Sequence, residues 1–278
     1  MNSLAQLPYL GAGLGYRREI HDSTIANAGR IDWLEIITEH FLHETSQTRA
    51  RLADLRALFP LIPHGLEMSI GTPGNVDRDY LDALARLVAT VDAPYFSDHL
   101  CFTRAGGVSL GSLTPLPRST DLARELGRKA QQVQSAVGVP LILENITYHM
   151  DVKTGMSEAE FIAEFCEHCD CGLLLDVTNL FTNATNHGFD AGRFLDVIPT
   201  ERVVQVHLAG GVTGHGALLD THSAAVPEPV WALLDELLSR TTIRGALIER
   251  DEDFPADFDD LLAEVDRARD AMHAVVPA

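Results

Sequence analysis

Eight short apolar segments recur along this 278-residue chain, and their alternation with amphipathic segments limits the folds that it can adopt. The apolar segments cover residues 8–16, 31–37, 61–66, 94–102, 140–147, 172–180, 203–211 and 245–251. Between them, leucines recur at helical spacing, as at Leu81, Leu84 and Leu87. This alternation is typical of parallel β/α units, and eight such units can close on themselves. We therefore predict an α/β fold, a single (β/α)8 TIM barrel.

The segments between the predicted strands carry helix signals. Helices are predicted for residues 49–59, 80–91, 120–137, 229–238 and 257–273. Ser157 and Glu160 form a Ser-x-x-Glu capping box, which predicts the start of a further helix. The polar stretch from Gly106 to Pro117 is long for a connection and is expected to act as a lid or binding loop.

Composition favours one barrel-sized domain and argues against two classes of partner. The chain is 46% hydrophobic and has no linker-like stretch, so we predict one domain over residues 1–278. Its formal charge of −19, from 40 acidic and 21 basic residues, argues against nucleic acid or an anionic membrane as a partner. No apolar run has the length of a membrane span, and residues 1–10 do not resemble a secretory signal. We therefore expect a cytoplasmic protein.

Two motifs that could suggest other cofactors are given structural roles. Gly11, Gly13 and Gly15 form a Gly-x-Gly-x-Gly pattern, but no acidic residue ends a second strand at the spacing of a dinucleotide-binding fold. Close backbone packing is the better interpretation of these glycines. The CEHCDC stretch at 166–171 resembles half of a zinc site, yet no second Cys or His pair follows at finger spacing. Its three cysteines and Cys101 are expected to be free thiols.

Side chains of metal-binding types stand where the predicted strands end. Seven strands each supply one of them: Glu35, His64, His99, Glu144, Asp176, His207 and Glu249. The gaps between successive members are 29, 35, 45, 32, 31 and 42 residues, each about one β/α repeat. Because the carboxyl ends of barrel strands meet at one rim, these side chains are expected to converge. Asp220 and His222, two residues apart in the loop after the seventh strand, are expected to reach the same ion.

Convergence changes what these residues imply. A single histidine after a strand is more often a hydrogen-bonded core residue, and a single strand-end carboxylate often caps the next helix. Several buried carboxylates side by side, however, would each be costly to bury without cations. The predicted metal ligands are His64, His99, Glu144, Asp176, His207, Asp220, His222 and Glu249, with Asn179 as a neutral oxygen donor.

This donor set is larger than one ion takes, so we predict two or three metal ions. It contains imidazoles and carboxylates but no thiolate, which suits iron, manganese or zinc, and open positions would favour non-haem iron. Glu144, Asp176 and His207 are predicted to be its catalytic members. Glu35 has two open interpretations, as a direct ligand or as an acceptor that orients a histidine N–H. Supporting or substrate-contacting roles are predicted for Asp98, Asn145 and His187.

The strand-end motifs, taken together, resemble a known enzyme family. They are SDHLCF with His99, LILEN with Glu144, LLLDVTN with Asp176 and Asn179, QVHLAGG with His207, DTHS with Asp220 and His222, and LIERD with Glu249. From about residue 11 to residue 251, the chain resembles the multinuclear non-haem iron-dependent oxidative enzymes. This family was formerly a domain of unknown function and includes the iron oxidase of methanobactin biosynthesis. The chain is similar, more distantly, to xylose-isomerase-like barrels.

The resemblance implies a TIM barrel that holds two or three irons in a mixed Fe2+/Fe3+ state and uses O2 as a co-substrate. It also implies a ribosomally made precursor peptide, modified at cysteine or another residue, and a partner protein that recognises the leader of that peptide. By this resemblance, the residues predicted above as metal ligands are the expected iron ligands. Glu144 is then expected to bridge two of them, and Asn179 to complete a third site.

Two other functions stay open on the residues alone. An isomerase or hydrolase on the same barrel would contain zinc or manganese and act without consuming O2. A non-catalytic peptide-binding or metal-storage protein would hold metal without turnover. No feature of the sequence indicates which oligomeric state the protein adopts.

Overall fold

The strands form a closed barrel and two hairpins in the computed structural model, which describes residues 4–43, 45–152 and 154–275. In chain order they are β1 (Gly11–Gly15), β2 (Trp33–Ile37), β3 (Leu61–His64), β4 (Phe96–His99), β5 (Phe102–Ala105), β6 (Val108–Thr114), β7 (Leu141–Glu144), β8 (Gly172–Asp176), β9 (Val203–Leu208), β10 (Gly210–Gly214), β11 (Ala217–Ala224) and β12 (Gly245–Ile248). Eight parallel strands close in the order β1-β2-β3-β4-β7-β8-β9-β12, and β12 pairs with β1. The predicted (β/α)8 barrel is confirmed. Residues 1–3, 44, 153 and 276–278 of the predicted 1–278 domain lie outside the described residues.

Helices follow the barrel strands and begin and end at the residues that favour such ends. They are α1 (His21–Ala26), α2 (Ser46–Arg56), α3 (Arg78–Val91), α4 (Thr120–Val137), α5 (Glu158–Cys166), α6 (Val177–His187), α7 (Ala191–Val197), α8 (Glu228–Leu238) and α9 (Phe258–Val275). The Ser157–Glu160 capping box opens α5 as predicted. Gly138, at φ +94°, ends α4 in the left-handed conformation. No helix in the described ranges is both long and apolar enough to cross a bilayer.

Alternation along the barrel strands places the rim residues above an apolar interior. In four strands, the residue two positions before the predicted ligand belongs to one buried cluster: Ile62, Ile142, Leu174 and Leu247. Trp33 and Tyr95 fill the same cluster. Because side chains two apart along a strand point to the same side, the ligand candidates also point into the barrel, at its carboxyl end.

The sixth barrel strand is shorter than the sequence suggested. The strand predicted over 172–180 ends at Asp176, and α6 begins at Val177. Asp176 Oδ1 accepts a hydrogen bond from Asn179 N at 2.7 Å, so this carboxylate caps the helix. Val177 and Thr178 are β-branched and favour strands. For this reason the sequence predicted a continuing strand where the helix begins.

Two hairpins follow the carboxyl ends of β4 and β9. In the first, β5 pairs antiparallel with β6 through Gly106 and Gly107, both of which have positive φ. This hairpin occupies the stretch that was expected to be a loop. The second pairs β10 with β11, and the loop predicted to hold Asp220 and His222 is strand β11. Residues of both hairpins line the cavity at the barrel mouth.

Gly13 supports the close-packing interpretation of the glycine-rich first strand. A Cβ at this position would come within 2.4 Å of the buried Trp33 ring. We expect Gly13→Ala to lower the free energy of unfolding by about 1–3 kcal/mol, measured by urea denaturation. Gly29→Ala is the control, because nothing lies within 4 Å of its Cβ position. Equal unfolding midpoints for the two variants would contradict the argument.

Candidate metal centre

The predicted ligands come together at one end of the barrel. The last residues of β3, β4, β7 and β8 are His64, His99, Glu144 and Asp176. His207 is the next-to-last residue of β9, and Glu249 follows β12 directly. All six are buried. The second hairpin brings Asp220 and His222 to the same place.

The first group of donors is formed by His64, His99 and Glu144. Glu144 Oε2 lies 3.6 Å from His64 Nε2 and 3.5 Å from His99 Nε2. The other ring nitrogen of His64, Nδ1, lies 2.8 Å from Ser97 Oγ, and this hydrogen bond fixes the orientation of the ring. One oxygen of Glu144 and two imidazole nitrogens therefore face a common point.

The second group shares Glu144 with the first. Its other oxygen, Oε1, lies 3.6 Å from His207 Nδ1. The same His207 nitrogen lies 3.0 Å from Glu249 Oε2. The two oxygens of Glu144 thus face different histidines, Oε2 towards His64 and His99 and Oε1 towards His207.

The third group is centred on His222. Its Nε2 lies 2.7 Å from Asp220 Oδ1 and 3.7 Å from Asp176 Oδ2, while its Nδ1 lies 3.3 Å from Glu249 Oε2. His222 has a φ of +47°, a left-handed backbone conformation that residues other than glycine rarely adopt. Such strain costs on the order of 1–3 kcal/mol and concentrates at functional sites.

The donor atoms of these groups fit metal ions. Buried atoms that lack a hydrogen-bond partner in the described part of the chain include Glu144 Oε2 and Asp176 Oδ2. Each such atom costs about 1–3 kcal/mol when left unpaired. His207 Nδ1 and His222 Nε2 lie close to carboxylate oxygens but without the geometry of a hydrogen bond. Among the described residues, four sets of three have donor atoms within 4.8 Å of one another: His64, His99 and Glu144; Glu35, His207 and Glu249; Glu144, Asp176 and His207; and Asp176, His222 and Glu249. Ligands that are roughly 2.0–2.3 Å from one ion have separations of this order.

The electrostatics of the centre also favour cations. Burial and the neighbouring His99 hold the pKa of His64 well below its ordinary value. Burial opposes the charge on His207 too, but the surrounding glutamates, Glu35 first, raise its pKa well above the ordinary value. Burial also opposes the charge on His222, but Glu249, Asp220 and Asp251 together raise its pKa well above the ordinary value. The raised pKa values of His207 and His222 favour their protonated forms beside the carboxylates, so metal binding at these two rings would release protons.

Glu35 contacts the nitrogen of His207 that faces away from Glu144 and Glu249. Glu35 Oε2 lies 3.0 Å from His207 Nε2 and also accepts a hydrogen bond of 2.6 Å from Gln205 Nε2. Tyr95 OH donates in turn to Gln205 Oε1 at 2.8 Å. Of the two interpretations of Glu35, this geometry favours the acceptor that orients the ring.

Sequence reasoning did not single out Gln205 or Tyr95. A signal for Gln205 was present, because it lies two residues before His207 on the same strand and therefore points to the same side. Arg17 was also missed. It follows β1 by two residues, lines the cavity, and its Nη2 lies 3.0 Å from Glu249 Oε1. This partly buried arginine beside Glu249 offsets part of the carboxylate charge.

Asn179 lies at the centre, but its amide is already engaged. Its side-chain oxygen accepts a hydrogen bond from Thr147 Oγ1, and its Nδ2 donates to Asn145 O at 3.1 Å. Asn145 uses its own amide to hold the backbone of Asp176 at both N and O. These contacts place Asn145 in a supporting role, and the direct ligation by Asn179 stays a prediction.

Two further predicted residues lie beside or away from the donor groups. Asp98 accepts backbone hydrogen bonds from His99 and Met68, so it orders the strand ends. His187 stacks on Tyr148 at a centroid distance of 4.7 Å and lines a separate cavity of about 800 Å³ between α5 and α7. That cavity contains none of the predicted ligands.

The cavity at the barrel mouth has a volume of about 510 Å³. Its lining includes His64, His99, Glu144, His222 and Glu249, and its outer wall includes residues 111–113 of β6. This volume falls within the range of small-ligand sites, so a few side chains of a larger substrate could enter it.

The cysteines are separate from this centre. Cys101, Cys166, Cys169 and Cys171 are buried free thiols, as expected. None of the donor groups found among the described residues contains a cysteine. Arg202 donates to the backbone oxygens of Cys169 and Cys171 at 3.1 and 3.2 Å, so this stretch forms a packed end of α5.

Comparisons with known proteins identify a matching family and related sequences. A family with the description "RiPP precursor modification enzyme MbnB/TglH/ChrH" matches residues 11–273, where RiPP denotes a ribosomally synthesised and post-translationally modified peptide. A UPF0276 protein of Rhizorhabdus wittichii is 37% identical over 94% of this chain and 95% of its own length. A UPF0276 protein of Caulobacter vibrioides is 38% identical over 94% of each chain.

Solved structures with the same fold are distant in sequence. D-psicose 3-epimerase of Clostridium cellulolyticum, crystallised with D-tagatose, is 15% identical, with a TM-score of 0.57 over 95% of this chain and 96% of its own. The IOLI protein, crystallised with a zinc atom, is 12% identical, with a TM-score of 0.63 over 96% of this chain and 100% of its own. At these identities the likeness shows the barrel fold alone.

Proposed function

Because the chain belongs to the family of RiPP precursor modification enzymes that is described by MbnB, TglH and ChrH, we propose that it is a multinuclear non-haem iron enzyme. In this proposal it uses O2 to oxidise a residue, foremost a cysteine, of a ribosomally made precursor peptide. The family description supports a peptide substrate. A partner protein that recognises the leader of that peptide is part of the proposal.

The observation that carries the proposal is the position of Glu144. Its two oxygens lie 3.5–3.6 Å from His99 Nε2 on one side and His207 Nδ1 on the other. A carboxylate between two sets of donors supports a centre of more than one ion. The donor groups of the described residues contain imidazole and carboxylate but no thiolate, a set that suits iron, manganese or zinc. The resemblance of the strand-end motifs favours iron among these three.

The residues at the barrel mouth would have distinct roles in this proposal. His64, His99, Glu144, Asp176, His207, Asp220, His222 and Glu249 would hold the ions. When bound, iron would supply electrons for the reduction of O2 and a positive charge that favours a thiolate over a thiol. Glu35 would keep His207 Nδ1 directed at the centre, and Arg17 would offset the charge of Glu249.

Metal analysis of anaerobically purified protein, combined with Mössbauer spectroscopy, tests the proposal. We expect two or more irons per chain with the spectrum of a coupled cluster. A single zinc per chain would contradict it. Zinc or manganese, together with turnover that consumes no O2, would instead support the isomerase or hydrolase alternative.

A further inference from the structure

The first hairpin presents an unpaired strand edge beside the metal centre. In the two-stranded sheet of the hairpin, β6 pairs only with β5. Along β6, every residue from Val108 to Leu113 is exposed. Among its exposed side chains are Val108 and Leu110, at 64% and 42% exposure. The outer half of β6, residues 108–110, is regular exposed strand with apolar side chains and is a template for pairing with another chain. At Gly111, which has a φ of +65°, the strand bends and its register against β5 shifts.

The opposite edge of the hairpin is already covered. Ser69 Oγ accepts hydrogen bonds from the backbone N–H groups of Thr103 and Arg104 in β5, at 2.7 and 3.2 Å. Thr72 Oγ1 donates to Arg104 O at 2.6 Å. The loop after β3 therefore anchors β5, and β6 is left as the edge that can accept a strand.

The free edge leads into the metal cavity. Gly111, Ser112 and Leu113 of β6 line the same cavity as His99 and Glu144. Val108 and Leu110 lie two residues apart, so they point to the same side of the strand, towards its outer end. An extended chain that pairs with residues 108–110 would therefore lie on an apolar surface, and the bend at Gly111 would direct its continuation to the mouth of the site.

We propose that an extended segment of the precursor peptide pairs as an added strand with β6, and that the residue to be modified enters the cavity past Leu113. The main chain of the peptide supplies hydrogen bonds to the free edge, and apolar side chains at alternate positions contact Val108 and Leu110. This inference rests on the proposed function for the nature of the substrate.

The test uses the iron-loaded full chain and a synthetic library of 11-residue peptides with a fixed central cysteine, selected for binding under anaerobic conditions. Selected peptides are expected to slow hydrogen–deuterium exchange at residues 108–114. Leu110→Asp should weaken their binding by about tenfold or more, because it places a charge at an apolar contact. Val212→Asp in the second hairpin is the matched control, since Val212 is 43% exposed and lies outside the lining of the cavity.

The outcomes separate this inference from the proposed function. Peptides that bind with unchanged exchange in β6 and equal affinity for Leu110→Asp overturn the docking edge, even if the enzyme oxidises them. A library that yields no binding peptide overturns it as well. Protection of β6 in a chain that holds a single zinc supports the edge while the iron proposal fails.

Discussion

Glu144→Gln is expected to lose iron and activity together. The substitution keeps the shape of the side chain but replaces one of the two oxygens that face His99 and His207 with an amide NH2 group, which cannot bind a cation. Loss of residues that only orient a ligand weakens metal binding by about 10–100-fold, so loss of a shared ligand should cost more than about a hundredfold. Iron per chain, measured by mass spectrometry, should fall by at least one ion, and O2-dependent turnover should fall to background.

Glu158→Gln is the matched control for this prediction. Glu158 lies at the start of α5 beside the larger cavity, where burial raises its pKa to about 7, and it belongs to no donor group. This variant should keep its full iron content. Circular dichroism and the unfolding midpoint should show a folded barrel for both variants. Full iron occupancy in Glu144→Gln would show that this carboxylate does not bridge ions.

If the protein binds iron as proposed, removal of the metal is expected to lower its thermal unfolding midpoint by roughly 10 °C. A ligand at a hundredfold excess over its Kd stabilises the folded state by about 2.7 kcal/mol, so two ions would contribute about 5 kcal/mol. For a domain of this size, each kcal/mol shifts the midpoint by about 2 °C or more. The physical origin of this stabilisation is the set of buried atoms without hydrogen-bond partners, such as Asp176 Oδ2 and Glu144 Oε2, which the ions would bind.

Calorimetry before and after anaerobic chelation measures this shift. Restoring Fe2+ should restore the original midpoint, and the Glu144→Gln variant should show a smaller change. An identical midpoint with and without metal would mean that the barrel mouth is stable as a metal-free polar network. The contacts between histidines and carboxylates would then be sufficient to stabilise these buried polar side chains without metal.

The barrel and most of its rim could be predicted because each strand carries its own local signal. Apolar segments of strand length recur at the spacing of β/α units, and His64, His99 and Glu144 stand where three of those segments end. The closure rule of the fold then brings them together without any knowledge of individual contacts. Strand ends were placed less well, since Asp176 both ends β8 and caps α6.

Contacts between distant strands could not be predicted. Gln205 and Glu35 are 170 residues apart, and their hydrogen bond depends on how β2 and β9 face each other across the barrel. The first hairpin was expected to be a loop, because its glycines and serines resemble loop composition. Gly106 and Gly107, however, are a two-residue turn of the kind that twisted strands require.

The pairing of β1 with β12 has a consequence for the order of events during synthesis. The first strand of the barrel lacks one of its two neighbours until the last strand has left the ribosome. Glu249 directly follows that strand, so the proposed metal centre cannot be complete before residue 249 has emerged. Chains truncated before residue 245 would lack both the strand that closes the barrel and one of the proposed metal ligands.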